Sequence, residues 1–196
     1  MKRAIIMTIV FVGCLQTALA QNTIASIRKV YQEQKEEIAR MSDEFPGEGT
    51  PPVYYHLHVS QNLPGTGMHH ENVRMYYGEL PSEEEGDPFP PHYLSFVSSK
   101  YNFAAREYYE EYLYDDKGQI MFIYAYTPND ELTKMLEFRL YFDGKRLLRL
   151  NVKADEADVY TGTTIPEEYS GYCSRYTSWA SNYLEMFKTI DNRTHL

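Results

Sequence analysis

Four of the six histidines crowd one stretch, His56, His58, His69 and His70, and imidazole suits both metal binding and proton transfer near neutrality. His56 and His58 stand two apart in an alternating run, so both project from one face of a strand. A loop folding back would bring His69 and His70 beside them as a zinc-ligating group. No cysteine or carboxylate stands at metal-ligand spacing with them, and the alternation sets His56 and His58 opposite Val53, Leu57 and Val59. They are expected to face solvent, with no resident metal and no cofactor. The alternative reading is a small hydrolase or metal-dependent enzyme that uses His56 or His58 with a carboxylate from the acidic loops.

Other catalytic signatures are missing. The sequence holds no Gly-x-Ser-x-Gly elbow and no phosphate-cradling glycine loop. Cys173 has Arg175 nearby but no histidine in its own segment, and reads as a small buried apolar residue. No catalytic residue is assigned from sequence.

Tyrosine is the unusual abundance, at 19 residues, many of them paired as in Tyr54-Tyr55, Tyr76-Tyr77 and Tyr108-Tyr109. In a strand one member of each pair points away from the core face. Outward rings with polar tips suit a protein, peptide or glycan partner. Tyr54, Tyr76 and Tyr124 are the candidate recognition surface.

The elements that must position these residues follow from periodicity. Ile24, Ile27, Tyr31, Ile38 and Met41 recur at helical spacing over residues 23–42, capped by Asn22 or Thr23 and ended by Pro46-Gly47 and Pro51-Pro52. Val53 to Val59 alternates as a strand; Gln61 to His70 reads as a loop, and Val73 to Gly78 as the next strand. The acidic, proline-rich segment 80–91 cannot enter a sheet or helix. Strands are then expected over Tyr93 to Ser98, from Tyr108, over Gln119 to Thr127, over Phe138 to Phe142 and over Arg146 to Val152. Tyr112-Leu113-Tyr114-Asp115 with Gly118 and Ile120 parallels Leu140-Tyr141-Phe142-Asp143 with Gly144 and Leu147, a weak internal hairpin repeat. Ala154 to Ser170 reads as an acidic loop. Tyr172, Tyr176, Trp179, Tyr183, Phe187 and Ile190 stripe a closing helix.

The start of the chain supplies an address. Lys2 and Arg3, the uncharged apolar run Ala4 to Gly13, and Ala18-Leu19-Ala20 form the pattern of a secretory signal peptide over residues 1–20, cleaved after Ala20. The run is too short for a transmembrane segment. Val12-Gly13-Cys14 loosely resembles a lipoprotein box, which makes a lipid anchor at Cys14 the alternative. Removing 20 of the 196 residues leaves 176, a length for one domain spanning 21–196. The leader takes two of the 19 basic residues and none of the 28 acidic ones, leaving 17 against 28 and a net charge of −11. Such acidity argues against nucleic acid as a partner. With one cysteine left after cleavage there is no intrachain disulfide, and a periplasmic or secreted location is expected.

The expected fold class is α+β: an N-terminal helix, an antiparallel β-meander of about six strands, and a C-terminal aromatic-faced helix packed on the sheet. In element order this resembles the helix-on-curved-sheet folds of the cystatin or nuclear-transport-factor kind, a likeness that implies nothing about activity. The expected function is that of an exported, non-catalytic binding protein.

Overall fold

Hydrophobic residues that alternate on both faces of the strands call for cover on both sides, and two helices provide it. The computed structural model describes residues 23–41, 53–82 and 90–194. The helix α1 (Thr23–Arg40) precedes eight strands: β1 (Tyr54–Leu63), β2 (Gly67–Glu79), β3 (His92–Phe103), β4 (Arg106–Tyr114), β5 (Ile120–Pro128), β6 (Met135–Asp143), β7 (Arg146–Ala154) and β8 (Ala157–Gly162). A long helix, α2 (Glu167–Thr194), closes the described chain. All strands are antiparallel and ordered as in sequence, so the sheet is an uninterrupted meander. The α+β class and both helix placements agree with the sequence reading. The leader, the Asn22 and Thr23 caps, the turn prolines at 46, 51 and 52 and the Glu83-Glu84-Glu85 run lie outside the described residues or side chains.

The sheet has eight strands rather than about six, and the differences have local causes. Most of Gln61 to His70 is strand, because Gly65 and Gly67 take positive φ and tighten the loop to three residues between β1 and β2. Within the supposed loop Ala154 to Ser170, β8 pairs with β7 through a turn in which Asp155 and Glu156 both have positive φ, 45° and 74°. β8 is an edge strand with mostly exposed side chains, so hydrophobic alternation never marked it. The repeat seen in sequence has a geometric counterpart. The β4–β5 and β6–β7 hairpins each shift register at matching places, Leu113/Tyr114 and Tyr141/Phe142. Gly118 and Gly144 supply the positive φ in the two turns, 75° and 58°.

Each face has its own core. On one, Val73, Met75, Val97, Tyr112, Ile123, Phe138, Leu150 and Val152 meet Tyr172, Cys173, Tyr176, Ala180, Tyr183 and Phe187 of α2. On the other, Ile27 of α1 sits among Tyr76, Phe96, Leu113, Phe122 and Tyr141, flanked by Ile24, Tyr31, Ile38 and Met41. These are the positions that the periodicity singled out, Ile24, Ile27, Tyr31 and Ile38 within α1 and Met41 just past its end. Trp179 lies at the margin of the α2 stripe, 38% exposed and stacked on Tyr183 at 5.7 Å.

Left-handed backbone at Glu156 costs about 1 kcal/mol in a residue with a Cβ. Glu156→Gly is therefore expected to raise stability by about that amount in urea unfolding. A loss of stability would contradict this reading of the turn.

Candidate functional site

The register of the meander writes the α1 face as three cross-strand rows. The first is Tyr54, Tyr76, Phe96, Leu113, Phe122 and Tyr141, nearly all apolar, and α1 covers its middle. The second is His56, Arg74, Ser98, Glu111, Tyr124 and Arg139. The third is His58, Asn72, Lys100, Tyr109, Tyr126 and Glu137. Side chains directly opposite one another lie within contact range, so the second and third rows form a polar field beside the apolar one.

At the boundary stands Glu111, a carboxylate only 2% exposed. Tyr31 of α1 and Tyr109 of β4 each donate a hydroxyl to it at 2.5 Å, and Lys35 of α1 closes an ion pair with it. Burial first, then the bond to Glu111, pushes the Tyr31 and Tyr109 phenols well above their usual range, so both remain donors. The preceding residue, Glu110, is equally buried and points to the opposite face. There it accepts from Tyr112 and, at 2.9 Å, from Tyr101. Burial raises the Glu110 pKa above the ordinary 4.5, and the two phenols and nearby Arg175 offset this in part while Glu71 adds to it. Glu71 itself accepts from Ser99 at 3.3 Å and from Tyr183 of α2 at 3.4 Å.

Beside Glu111 the α1 face opens into a cavity of about 260 Å³ lined by Lys35, Ile38, Asn72, Arg74, Tyr76, Phe96, Ser98, Lys100 and Tyr109. No acidic side chain is among these described lining residues, although the chain as a whole carries −9. The Arg74 guanidinium lies over the Tyr54 ring, 5.1 Å from its centroid. Lys100 pairs with Glu107 at 3.0 Å, an exposed contact worth little. A second cavity, of about 480 Å³, shares Asn72 and Lys100 with the first and runs on past His70, Tyr101, Asn102 and Glu107. The first of these is a trough between α1 and strands β2 to β4. A cavity of about 400 Å³ elsewhere has Arg106 and Lys134 balanced by Glu107 and Asp155, and so offers no net charge to a ligand.

The candidate histidines separate. His69 projects to the α2 face, where its Nδ1–H donates to the Asn102 carbonyl at 2.6 Å and Nε2 lies 4.0 Å from Glu71. His56, His58 and His70 stay on the α1 face, exposed. With its proton on Nδ1, His58 donates to Asn72 Oδ1 at 2.9 Å and accepts from Ser60 Oγ at 3.0 Å. Ser60 Oγ also meets His70 Nδ1 at 2.9 Å. The partners of His58 are thus Asn72 and Ser60 rather than an acidic-loop carboxylate. No group of three or more His, Cys, Asp or Glu side chains able to hold a metal occurs among the described residues.

Of the candidate tyrosines, Tyr76 is 3% exposed and forms part of the trough floor. Tyr54 is half-buried beneath Arg74, and Tyr124 lies beyond Glu111 with its hydroxyl 3.3 Å from Glu137. Burial, with Glu137 adjacent, pushes the Tyr124 phenol up to about 12. Cys173 is buried under α2, and burial alone pushes its thiol up to about 11, which removes it as a nucleophile at neutral pH. Sequence reasoning passed over Glu110 and Glu111. The signal was present in Tyr108-Tyr109-Glu110-Glu111-Tyr112, since two consecutive acids inside a strand covered on both faces must each be buried.

No protein family, curated protein or solved structure matches this chain. No helix among the described residues is long and apolar enough to cross a membrane.

Two expectations follow. Glu111→Ala strands two phenols and Lys35 without their acceptor, and is expected to cost about 3 kcal/mol and to open α1 to limited proteolysis. Unchanged unfolding and proteolysis would contradict the clamp. For Glu110 the folded pKa lies above the unfolded one, so its favourable contribution is present below about 4.5 and is lost as pH rises through the raised value. Glu110→Gln does not ionise. Its stability relative to the parent is expected to improve between about pH 4 and about pH 7, and a constant difference would refute the burial assignment.

Proposed function

We propose that this protein is exported and binds its ligand non-catalytically in the trough between α1 and strands β2 to β4. The observation that carries this reading is the trough itself. Lys35, Arg74 and Lys100 converge there around aromatic side chains on an otherwise acidic molecule. Pockets of this kind, with apolar walls and a few placed polar groups, are the usual form of a binding site. The tyrosine surplus enters the reading differently from the outward surface expected from sequence. Tyr76 and Tyr109 build the floor, Tyr54 supports Arg74, and the partner meets their polar neighbours rather than open rings. Export rests on the leader pattern of residues 1–20, with a periplasmic or secreted destination.

One observation favours a second reading. The Asn72–His58–Ser60 chain gives Ser60 the partners of an activated hydroxyl, as in an ester hydrolase. All three side chains are exposed, and bulk water there weakens the electrostatic support such a reaction needs.

Immobilised glycan and peptide arrays probed with the parent and with Arg74→Ala and Lys100→Ala test the binding reading. A captured ligand is expected to bind each variant at least about tenfold more weakly, a loss of about 1.4 kcal/mol. A ligand indifferent to both substitutions, or no capture at all, would count against it. Hydrolysis of p-nitrophenyl acetate that disappears in Ser60→Ala would instead favour the second reading.

A further inference from the structure

We infer that a second site, separate from the trough, binds a small organic carboxylate with an apolar body; it goes beyond the binding reading above and does not depend on it. The site is a cavity of about 200 Å³ between the N-terminal half of α1 and strands β5 and β6. Ile27, Arg28, Tyr31, Phe122, Arg139 and Tyr141 form most of its lining, and no acidic side chain is among the described lining residues.

The anion follows from donors that are still open. Arg28 has no carboxylate partner among the described residues: its Nε donates to the Tyr141 hydroxyl at 3.3 Å, and its guanidinium lies 5.4 Å from the centroid of that ring. Arg139 meets Glu137 through Nε, at 2.8 Å, and lies 5.6 Å from the centroid of the Tyr124 ring. A guanidinium held by its face and its Nε keeps both Nη groups to present as a fork, the geometry that matches a carboxylate. Tyr141 accepts from Arg28 and keeps its own proton to donate. A third arginine, Arg149, stands opposite Tyr141 on β7 with no partner among the described residues. The nearby acids Glu111 and Asp143 have their own cations in Lys35 and Arg146, so Glu137 alone is set against these three guanidiniums and the site stays positive.

The apolar body follows from the size and the walls. A cavity of about 200 Å³ holds about seven water volumes, room for a ligand of roughly seven to ten non-hydrogen atoms. Tyr31 offers only its ring, because its hydroxyl is committed to Glu111, and Gln32, which also lines the cavity, gives its Nε2 to Glu36. With Ile27 and Phe122 the remaining wall is apolar, and burying it against a hydrocarbon or aromatic body is favourable. Inorganic phosphate would engage the guanidiniums and leave those rings uncovered.

Calorimetric titration of the full chain with benzoate, 4-methyl-2-oxopentanoate, benzamide and inorganic phosphate tests this. At least one of the two carboxylates is expected to bind, and to bind more tightly than benzamide or phosphate. That binding should weaken at least about tenfold in Arg28→Ala and in Arg139→Ala, the effect of a lost hydrogen bond to a charged group. It should also weaken with added salt. Both arginines are exposed, so either variant keeps the test valid if the other fails to fold. Benzamide binding as tightly as benzoate would overturn the assignment of an anion, and phosphate binding more tightly than both carboxylates would overturn the assignment of an apolar body. Carboxylate binding indifferent to both arginines, or no carboxylate binding at all, overturns the inference and leaves the trough untouched.

Discussion

In a strand covered on both sides, consecutive residues bury their side chains in opposite directions, and at the centre of β4 those residues are two glutamates. Each ionised carboxylate in such a place costs several kcal/mol unless donors surround it. Here the donors are phenols. Tyr101 and Tyr112 serve Glu110 on the α2 face, and Tyr31, Tyr109 and Lys35 serve Glu111 on the α1 face. The same pairing recurs away from β4, with Tyr55 on Asp191, Tyr172 on Asp130 and Tyr183 on Glu71. The tyrosine surplus and the acidity of the chain are thus two sides of one solution. A phenol brings a large apolar ring into the core, and its hydroxyl satisfies a carboxylate that would otherwise be stranded.

The clamp at Glu111 also shapes the functional surface. Docking α1 through Tyr31 and Lys35 sets Lys35 and Ile38 against the polar rows of β2 to β4, which makes the wall of the trough. Within that clamp Lys35 is the counter-ion of Glu111, and the two phenols complete the coordination of its carboxylate. On the other face, His92 and Tyr55 both reach Asp191 near the end of α2, at 2.9 and 2.8 Å, and tie β1 and β3 to that helix. The two helices are thereby fixed by polar contacts as well as by packing.

Much of this was legible from residue patterns where one physical signal dominated. The apolar faces of α1 and α2 followed from helical spacing, and the turns at Asp115 to Gly118 and Asp143-Gly144 from their need for positive φ. β8 was not legible, because an edge strand needs no hydrophobic alternation and its turn uses Asp155-Glu156 in place of a glycine. The trough was not legible either. Arg74, Lys100 and Lys35 are 26 or more residues apart, and only the strand register and the docking of α1 bring them together. His69 and His70, adjacent in sequence, parted for the reason that separates Glu110 from Glu111.

The most direct test is a double-mutant cycle on stability between Tyr31→Phe in α1 and Glu111→Gln in β4. If the phenol–carboxylate contact fixes the helix, the cycle returns a coupling of about 1–3 kcal/mol. Effects that add to within about 0.3 kcal/mol would show that the phenol–carboxylate contact does not hold α1 and would contradict the account.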